Sequence, residues 1–159
     1  MSHSVSDNGS VRSYFLRAQK FCAYQERCSQ EVLKKLTEWG CIGNDAGMVI
    51  AKLTDERYLD EDRFAKMFVG GKFRIKRWGR IKIIAELKKR KIPASSIQRA
   101  LNEINEVSYR EVLKKMMAVK AASLRATDPM QRYTSITRYA ASKGFEKGLI
   151  IELLKKLEQ

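Results

Sequence analysis

The chain has 159 residues, with 32 Lys+Arg against 18 Asp+Glu and a formal net charge of +14 at pH 7. Its 44% apolar residues suit a folded chain of one-domain length, and two prolines with nine glycines suit long helices joined by short connections. Collagen-like, low-complexity and disordered readings are thereby excluded, and no apolar run approaches the roughly 20 residues that span a bilayer.

The opening MSHSVSDNGS lacks the charged and apolar regions of a secretory signal, so residues 1–10 are read as a disordered tail and a cytoplasmic location is expected. A first helix is predicted over 11–25. Ser29 is placed to cap a second over 29–39, which carries Val32 and Leu36 and stops at Gly40, and a third follows over 45–55. Asp60-Glu61-Asp62 sets three acids in the first turn of a helix over 60–76, where the helix dipole favours them. Helices over 79–90 and 95–104 come next; Ser95-Ser96-Ile97-Gln98, after Pro93, reads as a capping box. Ser108-Tyr109-Arg110-Glu111 reads as another at the head of 108–124. Asp128-Pro129 caps 129–143, with Gln131 three residues after the cap, and a last helix covers 146–157.

These nine helices repeat in threes. Leu36, Leu87 and Ala140 can be aligned; four residues earlier stand Val32, Ile83 and Ile136, and five later stand Cys41, Ile92 and Phe145. Further columns hold Ala46, Ile97 and Ile150; Ile50, Leu101 and Leu154; and Leu53, Ile104 and Leu157. Gly40, Lys91 and Gly144 share the column where a helix should end. The fold class expected is all-α: a tandem array of three three-helix repeats, elongated and curved, with units at 11–55, 56–105 and 106–159. Such arrays draw stability from contacts between neighbouring units and present a long face to a partner.

Little in the chain promises chemistry of its own. Cys22, Cys28 and Cys41 form no C-x-x-C, and the single histidine, His3, lies in the tail, so small buried thiols are expected rather than a zinc site or a nucleophile. There is no P-loop, no dinucleotide-binding glycine run and no nucleophile elbow. Capping accounts for Asp60 and Asp62 without invoking a metal or an acid/base pair, and packing accounts for Trp39 and Trp78. No enzyme, cofactor or metal is expected.

Charge is the informative feature. Residues 72–91 hold ten bases against Glu86 alone, with Phe73 and Trp78 among them. Residues 110–147 add nine more, from Arg110 through Lys120, Arg138 and Lys143 to Lys147. A surface serving solubility would mix in acids; one this unbalanced suits a polyanion or an acidic protein face. Around 79–90, Ile83, Ile84 and Leu87 define the inner side and Lys82, Glu86 and Lys89 the outer, while Arg80 falls on the inner side at the helix start.

Three segments resemble the regulatory protein RecX family. Arg27-Cys28-Ser29-Gln30-Glu31-Val32-Leu33-Lys34-Lys35-Leu36 is similar to its R-x-S-x-x-E-L-x-x-K-L signature with the Glu shifted. Tyr58-Leu59-Asp60-Glu61-Asp62-Arg63-Phe64-Ala65 resembles its G-Y-L-[DN]-D-x-x-[FY]-A motif, with Arg57 where Gly is common. The stretch from Trp78 to Ile92 resembles G-x-x-[RK]-I-x-x-E-L-x-x-K-G-I, with Lys91 in place of the usual Gly, which predicts a different C-cap there. The resemblance implies a helical, non-enzymatic modulator of the RecA recombinase. Such a protein binds in the groove of the RecA–single-stranded DNA filament, inhibits its ATPase and strand exchange, and so modulates recombinational DNA repair. Single-stranded DNA alone would be bound weakly, and a monomer without membrane attachment is expected. Family basic positions point to Arg63, Arg80 and Lys82 as filament- or DNA-binding residues; charge clustering alone adds Lys72, Arg74, Lys76, Arg77 and Lys89. Two alternatives stay open on the residues: a free-standing helical nucleic-acid binder that touches no recombinase, and a scaffold for an acidic protein.

Overall fold

Local sequence accounts for most of the helix boundaries in the computed structural model of the chain, which describes residues 4–157. Nine helices and no strand are found among these residues: α1 (Ser4–Tyr24), α2 (Ser29–Glu38), α3 (Gly43–Asp55), α4 (Glu61–Arg74), α5 (Arg80–Lys89), α6 (Ala94–Leu101), α7 (Glu106–Ser123), α8 (Pro129–Ser142) and α9 (Lys147–Leu157). The chain is all-α. From α2 onward each helix begins and ends within three residues of its predicted bounds. Helix α1 begins at Ser4, so its first turns fall in the stretch read as a tail, whereas His3 lies outside the described residues.

The caps differ from the sequence reading in an instructive way. Asp60 and Asp128 do cap α4 and α8, accepting from the N–H groups of Arg63 at 3.0 Å and Met130 at 3.4 Å. The three serines do not cap. The N-caps of α2, α6 and α7 are Cys28, Pro93 and Asn105, and of these only Asn105 accepts a bond through its side chain, from the N–H of Ser108. Ser29 instead gives its N–H and hydroxyl to the Glu61 carboxylate, at 3.1 and 2.8 Å. Ser96, almost fully buried, gives its hydroxyl to Asp62. Ser29 and Ser96 thus have long-range partners that a local pattern does not reveal.

At their C-terminal ends α2, α5 and α8, the middle helices of the three triplets, close alike. The N–H groups of Gly40, Lys91 and Gly144 reach back to the carbonyls of Thr37, Lys88 and Ala141 at 3.1, 3.0 and 3.0 Å. The next residues, Cys41, Ile92 and Phe145, bond to the aligned anchors Leu36, Leu87 and Ala140. All three turn residues have positive φ, +95°, +57° and +96°. The expected change of cap at Lys91 is therefore absent: the lysine takes the left-handed conformation that glycine usually supplies.

Helices pack closely only within their own triplet: α1 with α2 and α3, α4 with α5 and α6, α7 with α8 and α9. The repeat columns form the core. Val32, Leu36, Ile83, Leu87 and Ala140 are 0% exposed, but the last column loosens along the chain, from buried Leu53 through half-buried Ile104 to Leu157 at 44% exposed. The buried side chains fall into two clusters. One lies inside α1–α3 with Leu59. The other is continuous through α4–α9 and also takes in Cys28, so the second and third triplets share one core. The accessible surface, 10330 Å², exceeds the about 8,100 Å² of a compact monomer of 18.3 kDa, as an elongated tandem array requires. No helix among the described residues is long and apolar enough to cross a membrane.

Candidate basic interface

The ten bases of 72–91 divide into those the fold occupies and those it leaves available. Arg80 is occupied. Its guanidinium pairs with Glu146 at 2.8 Å and with Glu106, and lies 3.8 Å over the Tyr109 ring. Its backbone N–H donates to the Tyr109 hydroxyl at 3.0 Å, and that hydroxyl donates to Glu146. Burial alone would lower the Arg80 pKa, but the two carboxylates outweigh it and hold the guanidinium more firmly protonated. Tyr109 is fully buried, and burial together with the Glu146 bond raises its phenol. Arg80 thus bridges the second and third triplets rather than facing outward, as its inner wheel position suggested.

Arg63 is engaged as well. Its Nε meets both Glu26 oxygens at 2.9 and 2.8 Å, tying α4 to the connection between α1 and α2 of the first triplet. Lys89 pairs with Glu86 at 3.1 Å on an exposed helix turn, and Arg90 with the same carboxylate at 3.2 Å. These two bonds hold the Glu86 carboxyl below the usual carboxylate range. Asp62 is held low too, by Arg99 first and then Ser96. The three acids of 60–62 therefore do three jobs: a cap, a cross-triplet acceptor and a clasp on α6.

Lys72, Arg74, Lys76, Arg77 and Lys82 form no ion pair among the described residues, but they do not make one patch. Arg77, three residues beyond α4, has φ +58°, which turns the chain so that the Trp78 N–H returns to the Lys72 carbonyl at 3.0 Å. That turn lays the Trp78 ring against the Lys72 stem, with Nζ 4.8 Å from the ring centroid, and Lys82 one helical turn on reaches the same ring at 4.4 Å. Lys76 instead borders a cleft of about 330 Å³ with Met67, Ile75 and Arg90. Arg74 borders another, of about 210 Å³, with Lys66, Glu103 and Ser108. Lys72 lines the Lys76 cleft as well, so the structure joins Lys72 to Lys82 through the Trp78 ring and to Lys76 across that cleft, and sets Arg74 apart on another.

A second grouping was not singled out from the sequence. Tyr139, half-buried on α8, carries Lys120 from α7 at 5.1 Å and Lys143 at 5.6 Å. Tyr139 and Lys143 are one helical turn apart, a signal available in the sequence. The partnership with Lys120 depends on how α7 and α8 pack. The glycines that set this region beside Trp78 were also missed as a pair. Gly79 N–H bonds to Lys143 O at 2.7 Å and Ile81 N–H to Gly144 O at 2.9 Å, with both glycines buried.

Burial raises the Cys22 and Cys28 thiols to about 11 and raises Cys41 also, which keeps all three as protonated packing groups. No grouping of His, Cys, Asp and Glu suited to a metal occurs among the described residues.

Comparison with known proteins bears on this arrangement directly. Residues 60–101, spanning α4 to α6, match the family model for the second three-helix domain of RecX. A protein named regulatory protein RecX from Oceanobacillus iheyensis is 24% identical over 138 residues, 87% of this chain and 51% of the relative. Namesakes from Clostridium tetani and Pelodictyon phaeoclathratiforme are 28% and 29% identical, over 88% and 81% of this chain and 65% and 79% of theirs. The chain thus spans from about half to four fifths of the length of these relatives. Two solved structures share the fold: a regulatory protein RecX, with TM-score 0.88 over 96% of this chain and 75% of that one, and RecX from Lactobacillus salivarius, with 0.85 over 95% and 98%. Both are 19% identical to it. The second triplet thus matches the second three-helix domain of the RecX family, and the array as a whole shares the fold of two solved RecX structures.

Proposed function

We propose that this protein is a non-catalytic regulator that docks on the RecA–single-stranded DNA filament, inhibits its ATP hydrolysis and strand exchange, and so modulates recombinational repair. The observation that carries this reading is the uneven fate of the basic residues. Acids are present nearby, yet they are drawn into the joints between triplets or onto their own helix, leaving Lys72, Lys76, Arg77 and Lys82 with no carboxylate partner among the described residues. Cations left free on a long helical array suit a filament that offers phosphates and acidic protein together. The test is DNA-dependent ATP hydrolysis by a cognate recombinase with this protein titrated in. Suppression at substoichiometric protein is expected; unchanged hydrolysis at excess protein would overturn the reading. Equal affinity for bare DNA and for filament would instead favour the free-standing nucleic-acid binder.

A further inference from the structure

We propose that Lys72 and Lys82 on the Trp78 ring, with Lys120 and Lys143 on the Tyr139 ring, form one composite site for the phosphates of a single strand of nucleic acid, assembled only while the second and third triplets are docked. This rests on the proposed function and names the surface through which DNA is met.

Three observations converge. Each ring carries two ammonium groups at 4.4–5.6 Å from its centroid, and all four lysines are half-buried, their stems laid along the rings. None of the four makes an ion pair among the described residues, although Lys89, Arg80, Arg90, Arg110 and Lys114 close by do. The two groupings come from different triplets, and a specific backbone contact brings them together: Gly79 N–H to Lys143 O, Ile81 N–H to Gly144 O, and the Lys82 Cβ against Gly144.

An ordinary surface lysine must surrender rotamer freedom to meet a phosphate. These four have surrendered much of it to the rings, so each contact costs less ordering. Lysine also suits phosphate as a compact point charge, and a strand charged at every nucleotide can engage all four at once. The rings serve to hold cations, so binding should follow charge rather than base identity.

The experiment uses the full chain with Trp39→Phe, so that emission reports Trp78 alone. Titration with oligo-dT should change that emission saturably, because a phosphate drawing on Lys72 and Lys82 alters the groups lying on the ring. Replacing all four lysines with Gln should lower the magnitude of the log K against log salt slope by about 2.8, at roughly 0.7 per contact, and weaken binding at low salt by at least about tenfold. Replacing them with Arg should preserve both. Gln at Lys88 and Lys91, which lie away from the rings, should have the smaller effect. A folded four-Gln variant with wild-type slope and affinity overturns the proposal, as does binding of poly-glutamate as tight as oligo-dT, which would mark an acidic-protein surface. Recombinase inhibition is read separately: its absence removes the filament reading while the oligonucleotide result still decides this site.

Discussion

The joint between the first and second triplets and the joint between the second and third are made of different materials. The first is largely polar: Ser29 on Glu61, Arg63 on Glu26, and Arg90 near Glu31 at 3.7 Å, with the Cys28 thiol as its apolar contribution. The second is continuous core. Phe73 stacks on Tyr109 at 5.7 Å, Tyr109 meets Phe145 at 5.1 Å, and backbone touches backbone where Gly79 faces Gly144. Exposed ion pairs contribute little and weaken with salt, whereas shared apolar burial and close-packed backbone do neither. The second and third triplets should therefore behave as one body, with the first attached more loosely. That division sets the basic lysine groupings on the rigid part.

The sharpest way to break this contrast is Gly144→Ala. A Cβ there would collide with the Lys82 Cβ and backbone, and φ is +96°, outside the range an alanine adopts readily. Overpacking and backbone strain together should cost about 3–4 kcal/mol. Urea unfolding should lose its single late transition as the third triplet separates. Arg80→Ala attacks the same joint through its polar lining: Glu146 and Glu106 lose the guanidinium, while the Tyr109 hydroxyl keeps the backbone N–H of residue 80. A loss of about 2 kcal/mol is expected, against no more than about 0.5 for Lys82→Ala. Should both variants melt alike, Arg80 is not a strut of this joint, and its place as a family-like contact residue returns.

Arg80 also shows where sequence reading stops. Helix existence, the threefold repeat and the buried columns were legible because they follow from spacing along a single helix, and the inner position of Arg80 on its wheel was visible for that reason. Its partners were not, since Glu106 and Glu146 are 26 and 66 residues away. The same limit misled the Ser29 cap: Ser29 sits at a helix start, but its acceptor, Glu61, lies 32 residues away. Of the candidate binding residues, charge clustering offered Lys72 and the family resemblance Lys82 and Arg63, but neither could show that Arg63 is ion-paired or that Lys120 and Lys143 share a ring on the neighbouring triplet.

Lys91 sharpens the contrast from the other side. It shares the turn geometry of Gly144 but touches nothing that demands glycine, and at φ +57° only the intrinsic cost of a left-handed residue applies. Lys91→Gly relieves that strain and gives back part of the gain through the freer unfolded chain, so stability should rise by up to about 1 kcal/mol. A higher urea midpoint with an unchanged slope would show it; a lower midpoint would mean that the lysine side chain stabilises the turn.

The smallest effect belongs to the polar joint. Arg63→Ala removes the fork on Glu26, but the arginine side chain is 43% exposed, so the loss should be within about 1 kcal/mol at low salt and less at high salt. The direction matters more than the size. Asp60 still caps α4 in the variant, because its bond is to the backbone N–H of residue 63, so the second triplet itself should be undisturbed. Hydrogen exchange should therefore quicken at the α2 start and around Glu26 while amides of α5 to α9 keep their protection. One molar salt applied to the wild type should give the same pattern, screening Arg63 from Glu26 without touching the Phe73–Tyr109–Phe145 stack. Uniform loss of protection along the chain in either experiment would show that the two joints are energetically one, and that the first triplet is not the looser part.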